Sequence, residues 1–298
     1  LTLRHFMIFV TVCDTMNMTA AAAELYMSQS AVSQAIAELE KYYDVRLFER
    51  LSRKLYRTQA GDKLLSYARH IISMNAEVEK SMKSLRTNGL IRIGASVTVG
   101  AYVLPKLVSD YNRQNTQTEI EVCEDNTEKV ANMILYDKID IGLVEGEVSS
   151  PDIISRPFMD DKLVLICGAT HRFSGVASVE LSELEEEGFI IREKGSGTRK
   201  TFEDMMQAHQ VKWKAIWTCN NADTIKMAVA EGIGISVISN MAIQNEIASG
   251  ILCKTEVNGI RFNRKFKIIY HKNKYLTPPL SEFIALCMKA TGLNSNRN

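Results

Sequence analysis

Closely spaced cysteines are absent from this 298-residue sequence. The six present (Cys13, Cys123, Cys167, Cys219, Cys253 and Cys287) are scattered, without the spacing of a zinc site or a redox pair. They read as small buried hydrophobes in a reducing cytosol, and Cys219, which begins a polar turn, has no evident resolving partner. The five histidines (His5, His70, His171, His209, His271) show no metal-ligand spacing, and none stands beside a nucleophile. Neither a metal nor a cofactor is expected. No apolar run is long enough to span a bilayer and no signal-peptide pattern opens the sequence, so a cytoplasmic protein without membrane contact is expected. A net charge of +1 and 46% hydrophobic residues exclude a strongly basic or acidic chain. The stretch Gly195–Thr201 approaches a nucleotide-binding loop, but Arg199 stands before Lys200 where glycine belongs, and the upstream glycine spacing is wrong. Gly232-Ile-Gly-Ile-Ser236 reads as a helix end entering a buried strand, not a dinucleotide fingerprint. With no acid/base or nucleophile constellation, no catalytic residue is assigned and an enzyme is not expected.

What is present is concentrated in residues 18–57. Thr19 is suited to cap a short alanine-rich helix, Ala20–Tyr26, whose small side chains let a second helix cross closely. Ser28 is suited to cap that second helix, in which Ala31, Ala35 or Ile36, and Leu39 recur at inward-facing spacing. Its first turns offer Gln29, Ser30, Ser33 and Gln34, short polar groups able to hydrogen-bond base edges in a major groove. Asp44 falls at the helix end, where it tolerates the left-handed conformation. Beyond it, Arg46, Arg50, Arg53, Lys54 and Arg57 surround apolar Val45, Leu47 and Phe48, opposed only by Glu49. This density of cations on a hairpin suits a duplex backbone, with Arg53 at the wing tip placed for a minor groove. The order and spacing closely resemble the winged helix-turn-helix head of LysR-type transcriptional regulators. Two positions depart from that family: Asp44 replaces a usual glycine, and Ser30 a frequent proline. Residues 1–88 carry 12 lysines and arginines against 9 acidic residues, a mildly basic head on a mildly acidic body.

A linker helix is expected from Gln59 to Thr87, capped by Thr58 and ended by Asn88-Gly89. Gly61, Leu64, Ala68, Ile71, Asn75, Val78, Met82 and Leu85 alternate at gaps of three and four, the pattern of a coiled-coil seam, with Asn75 placed to fix register. A helix lying on its own domain would show a similar stripe. The resemblance implies dimerisation through residues 59–88 and a dimer of dimers beyond it. From Leu90 strands and helices alternate, implying parallel sheet flanked by helices. The expected architecture is therefore a multidomain α/β chain: head 1–58, linker 59–88 and effector body 89–298. The resemblance makes that body two-lobed, like periplasmic solute-binding proteins, with lobe I at about 89–161 and 266–298 and lobe II at about 162–265.

Such a body holds its ligand between lobes, at strand ends and helix N-termini. Three polar turns qualify: Ser96-Val-Thr98, Thr127, and the turn from Arg192 to Arg199. By resemblance, Ser96, Thr98, Thr127, Ser196 and Thr198 are effector contacts, and Arg199 would add a cation. Each hydroxyl is alternatively an ordinary helix cap. Glu145, just past a strand end, is either a selector against some anions or a solvated carboxylate. The function expected is a DNA-binding transcriptional regulator sensing a small organic or inorganic anion. A solute-binding protein, or an enzyme on the same body, is the alternative from another class.

Overall fold

The computed structural model describes residues 1–51, 54–83 and 89–289; the side chains of 80–83 are not described. The chain divides into two compact units: residues 1–88, and residues 89–298 less two short segments, 135–138 and 273–275, that cluster with the first.

The first unit holds α1 (Leu3–Thr15), α2 (Met18–Glu24), α3 (Gln29–Tyr43), the antiparallel hairpin β1 (Phe48–Leu51) and β2 (Lys54–Arg57), and α4 (Gln59–Lys83). Its core gathers Phe9, Val12, Ala21, Val32, Leu39, Leu47, Leu65 and Ala68. Helix α2 begins earlier than expected because Asn17, not Thr19, caps it, its side-chain oxygen accepting from the Thr19 and Ala20 N–H groups at 2.8 and 3.1 Å. Ser28 caps α3 by accepting from the Ala31 N–H at 3.2 Å. The inward stripe of α3 is Val32, Ala35, Ile36 and Leu39, with Ala31 only half-buried. Asp44 ends α3 in the left-handed region, φ 53° and ψ 42°.

Thr58 Oγ1 accepts from the Gly61 N–H at 3.0 Å and opens α4. Gly61 is required there: a Cβ would lie 2.3 Å from the Leu47 carbonyl oxygen. The expected seam therefore splits in two. Gly61 and Ala68 are buried in the first unit and Leu64 packs half-buried against its core, while Ile71 and Val78, with Met74 beside them, are exposed. Asn75 donates to Glu79 within the helix at 3.0 Å. The Met82 side chain, Leu85 and the expected helix end at 87–88 lie outside the described residues.

The second unit runs β3 (Leu90–Ser96), α5 (Val97–Tyr102), α6 (Leu104–Asn112), β4 (Glu119–Asp125), α7 (Thr127–Leu135), β5 (Ile141–Glu145), β6 (Ile153–Gly168) and β7 (Ser178–Val179). It continues with β8 (Gly188–Arg192), α8 (Gly197–Ala208), β9 (Lys214–Cys219), α9 (Ala222–Ala230), β10 (Ser236–Ser239), α10 (Gln244–Ala248), β11 (Leu252–Val257), β12 (Asn263–His271) and α11 (Pro278–Lys289). The expected parallel sheet is only part of the arrangement. β4, β3 and β5 are parallel, as are β8 and β9, but β12 is antiparallel to both β5 and β6. β10 and β11 are antiparallel to β6 as well. The cause is β6 itself, 16 residues long, which pairs with β12 over its first part and with β10 and β11 over its second. Its first part reads as a loop because Ser155, Arg156 and Pro157 are exposed. Lobe I packs around Ile93, Leu107, Leu143, Phe266 and Phe283. Lobe II packs around Leu165, Phe173, Phe189, Phe202 and Val237 on one face, and Ile166, Ile190 and Val229 on the other. The paired strands β6 and β12 join the lobes.

A left-handed aspartate is strained by its Cβ, and its carboxylate faces the negative end of α3. Asp44→Gly should therefore stabilise the head, by about 0.5–1 kcal/mol at low ionic strength. Chemical denaturation of the full chain, followed at the head's transition, measures it.

Candidate DNA-recognition face and ligand cleft

The N-terminal turns of α3 leave Gln29, Ser30 and Gln34 exposed and Ser33 half-buried. Their polar atoms are engaged with one another: the Gln29 amide donates to Ser33 Oγ at 2.6 Å, and Ser28 and Ser30 hydroxyls meet at 3.0 Å. The Gln34 amide donates to Glu38 at 2.9 Å, and His5 contacts the same carboxylate at 2.8 Å. The His5 and Gln34 hydrogen bonds hold the Glu38 carboxyl below the usual carboxylate range. These pairs leave Gln29, Ser30 and Gln34 at the surface of the helix. Arg46, Arg50 and Lys54 are exposed on or beside the hairpin, whereas Arg53 lies outside the described residues. Arg57 does not belong to the basic wing. Its guanidinium donates to Asp62 at 2.7 Å and to the Cys13 carbonyl at 3.3 Å, tying the hairpin to α4 and α1. Tyr26, in the turn before α3, is 98% exposed at φ 53°. The helix expected to run to Tyr26 ends at Glu24, two residues earlier.

In the second unit five of the six expected cleft residues come together, and the group at their centre is the chain's own Glu145. Ser96 Oγ donates to one carboxylate oxygen at 2.5 Å. Thr98 and Thr198 donate to the other, each at 3.2 Å. Thr127 Oγ1 donates to the Glu145 backbone carbonyl at 3.1 Å. Glu145 is 1% exposed, so its reading as a solvated strand-end carboxylate is overturned by burial. Ser96, Thr98, Thr127, Ser196 and Thr198 are buried with it.

The charge is balanced by Arg264 of β12, which sequence reading did not single out. Its Nη1 donates to Thr198 Oγ1 at 2.8 Å and lies 3.7 Å from Glu145, while Nε donates to Asp161 of β6 at 2.7 Å. Ser239 Oγ of β10 donates to the other Asp161 oxygen at 2.7 Å. Two carboxylates and one guanidinium are thus buried together, with hydroxyls from four segments filling the remaining hydrogen bonds. Two atoms are left over. Ser196 Oγ and Arg264 Nη2 are buried without a hydrogen-bond partner among the described residues. Both stand by the first turn of α8, whose N-cap is Ser196 with no side-chain cap bond.

Arg199, the expected cation of this site, is spent elsewhere. Its guanidinium donates to Glu203 at 2.7 Å and to the Arg192 carbonyl at 3.1 Å, and lies 5.9 Å from the Trp213 ring. One turn along the helix from Ser196, it packs against its own lobe. The lobes meet by backbone: the Glu128 N–H donates to the Gly195 carbonyl at 3.1 Å, and a Cβ on Gly197 would fall 2.1 Å from the Glu145 carbonyl oxygen. Beside this cluster the two joining strands line a cavity of about 530 Å³ with Asp160, Asp161, Lys162, Asn263, Arg264 and Lys265. Among the described residues no group of three or more acidic, histidine or cysteine side chains is placed to hold a metal ion, and no helix is long and apolar enough to cross a membrane.

Removing the guanidinium would strand Asp161 and Glu145 in a buried site. Arg264→Met should cost about 3–5 kcal/mol, read by thermal or urea unfolding of the full chain. Adding Asp161→Asn to that variant should restore part of the loss.

The comparisons with known proteins agree with this geometry. The family model described as "Bacterial regulatory helix-turn-helix protein, lysR family" matches residues 3–62, and the one described as "LysR substrate binding domain" matches residues 85–292. Over 287 residues the chain is 33% identical to the uncharacterized HTH-type transcriptional regulator YeiE of Escherichia coli K12, covering 96% of this chain and 97% of that protein. The regulatory domain of CcmR from Synechocystis, solved in complex with 2-PG, is similar at 26% identity and a TM-score of 0.64, over 68% of this chain and 97% of that one. A full-length OxyR variant from Pseudomonas aeruginosa shares the fold at 20% identity and a TM-score of 0.69, covering 98% of this chain and 95% of that one. A helix-turn-helix head, a polar cleft at strand ends and full-length similarity make one set: the chain belongs to the LysR family of DNA-binding transcriptional regulators with an effector-binding domain.

Proposed function

We propose that the cleft senses a small anion, and that Glu145 holds the place of that anion until it arrives. The observation carrying this reading is the buried, unpartnered Ser196 hydroxyl at the N-cap of α8. A helix N-terminus presents unsatisfied N–H groups and partial positive charge, and the unpartnered Nη2 of Arg264 adds a cation beside it. Ser196, Arg264, Thr198, Ser96 and Thr98 are the effector contacts in this reading. Thr127 positions Glu145 through its backbone, and Arg199 takes no part. That the CcmR regulatory domain was solved with 2-PG supports an anion on this fold.

An arriving anion meets the Glu145 carboxylate and competes with it for Ser96, Thr98 and Thr198. Binding is therefore linked to a rearrangement of Glu145, which gives the differential affinity between two states that signalling requires. On the head, Gln29, Ser30, Ser33 and Gln34 read bases, and Arg50, Lys54 and Arg53 hold the backbone or minor groove. The exposed Ile71, Met74 and Val78 face of α4 supports a dimer seam, which would present two recognition helices to an inverted repeat.

Gln34→Ala should lower the preference for specific over random DNA, by about 1–3 kcal/mol. Arg50→Ala should weaken both kinds of site and reduce the salt slope by about one. Salt-titrated binding separates the two; identical behaviour of both variants sinks the assignment. For the cleft, calorimetry with sulfate, phosphate and 2-PG is the test. Glu145→Gln removes a like charge in a low-dielectric site and should tighten anion binding about tenfold or more, while Ser196→Ala should weaken it. Unchanged affinity in both places the anion elsewhere.

A further inference from the structure

Two thiols that are far apart in sequence face each other across the sheet of lobe II. Cys167 of β6 and Cys253 of β11 are directly opposed in the antiparallel register, between the Leu252–Gly168 and Lys254–Ile166 pairs. Opposed residues share a sheet face with Cβ atoms about 4.5–5.5 Å apart, and a disulfide needs about 3.5–4.5 Å. A shift of the two strands by about 1 Å, with rotation of both side chains, closes that difference. Both cysteines are reduced here and belong to the same apolar cluster, Cys167 within it and Cys253 packed against it. The other cysteines lack this arrangement. Cys219 is directed at the carbonyls of Ile191 and Asn221, Cys123 lies against the Met133 sulfur, and Cys13 and Cys287 are buried in separate cores.

We propose that Cys167 and Cys253 form a reversible dithiol–disulfide pair, oxidised by hydrogen peroxide. Access decides the order. Cys167 is 1% exposed, whereas Cys253 is half-buried with its sulfur 3.2 Å from Ser174 Oγ, a hydroxyl able to donate to a thiolate. Burial first, with smaller contributions from Cys253 and Glu187, pushes the Cys167 thiol up to about 11. It stays protonated at neutral pH and reacts second. In the first step Cys253 Sγ attacks a peroxide oxygen and the O–O bond breaks. The thiol proton leaves with the released hydroxide as water, giving the sulfenic acid. In the second, Cys167 Sγ attacks Cys253 Sγ and the S–O bond breaks. The departing hydroxyl takes the Cys167 proton as a second water. Two thiols lose two electrons and two protons, and one peroxide becomes two waters. The bridge encloses β7, β8, α8, β9, α9, β10 and α10, and so includes the Ser196–Thr198 turn and Ser239.

The test uses the full chain, treated with hydrogen peroxide, blocked with N-ethylmaleimide and digested without reductant for mass spectrometry. A Cys167–Cys253 linked peptide, two hydrogens lighter than its parts and lost on adding dithiothreitol, is expected. Cys167→Ser should leave a Cys253 sulfenic acid that dimedone traps, and Cys253→Ser should leave Cys167 unmodified at the same dose. The wild-type peptide map needs no variant to fold, and circular dichroism checks that those used do. Failure of the linked peptide to form while other thiols oxidise, or pairing of Cys253 with a different cysteine, overturns the proposal.

Discussion

The guanidinium of Arg264 makes the rest of the effector body possible. It lies between Asp161 and Glu145, and each is nearly removed from water. A carboxylate in a low-dielectric interior is costly unless a counter-charge and a full set of hydrogen bonds meet it. One cation cannot neutralise two anions, so the hydroxyls of Ser96, Thr98, Thr198 and Ser239 complete the set. These partners come from β3, α5, α8, β6, β10 and β12, so the network fixes both lobes and the strands that join them. A site held this way is poised: its polar groups are nearly all satisfied, and those left over lie at one helix end.

Much of this was legible in the sequence because the signals are local. A cap, a turn and a helix start lie within four residues, which is why Ser28 and Asp44 stand where expected and Ser96, Thr127 and Ser196 stand at helix starts. Asn17 and Thr19 show the margin of such reasoning. Both suit a cap, and two residues decide which N–H groups are reached. The linker stripe was visible, but its division was not. Periodicity shows that Ala68 and Val78 share a helix face without showing that one packs into the head and the other faces solvent.

The missed residues are those whose partners are distant. Arg264 sits in the charged run 261–267, where any of the cations is an equal candidate, and it meets Asp161 across 103 residues. Glu145 is legible as a strand-end acid, yet only the fold places three hydroxyls on it. Cys167 and Cys253 carry no spacing signal, since their opposition follows from the register of β11 on β6. That strand itself escaped notice where its first part is exposed and polar.

The glycine contact between the lobes sets a mechanical limit on the cleft. At Gly197 the opposing surface is a carbonyl oxygen of the backbone, and Gly146 is packed against Gly197 as well. Side chains can rotate away from an intruder, whereas backbone must travel. Between Gly197 and the Glu145 carbonyl the two backbones are therefore already in contact, with no room for a side chain. Any residue larger than glycine at position 197 would force those backbones apart.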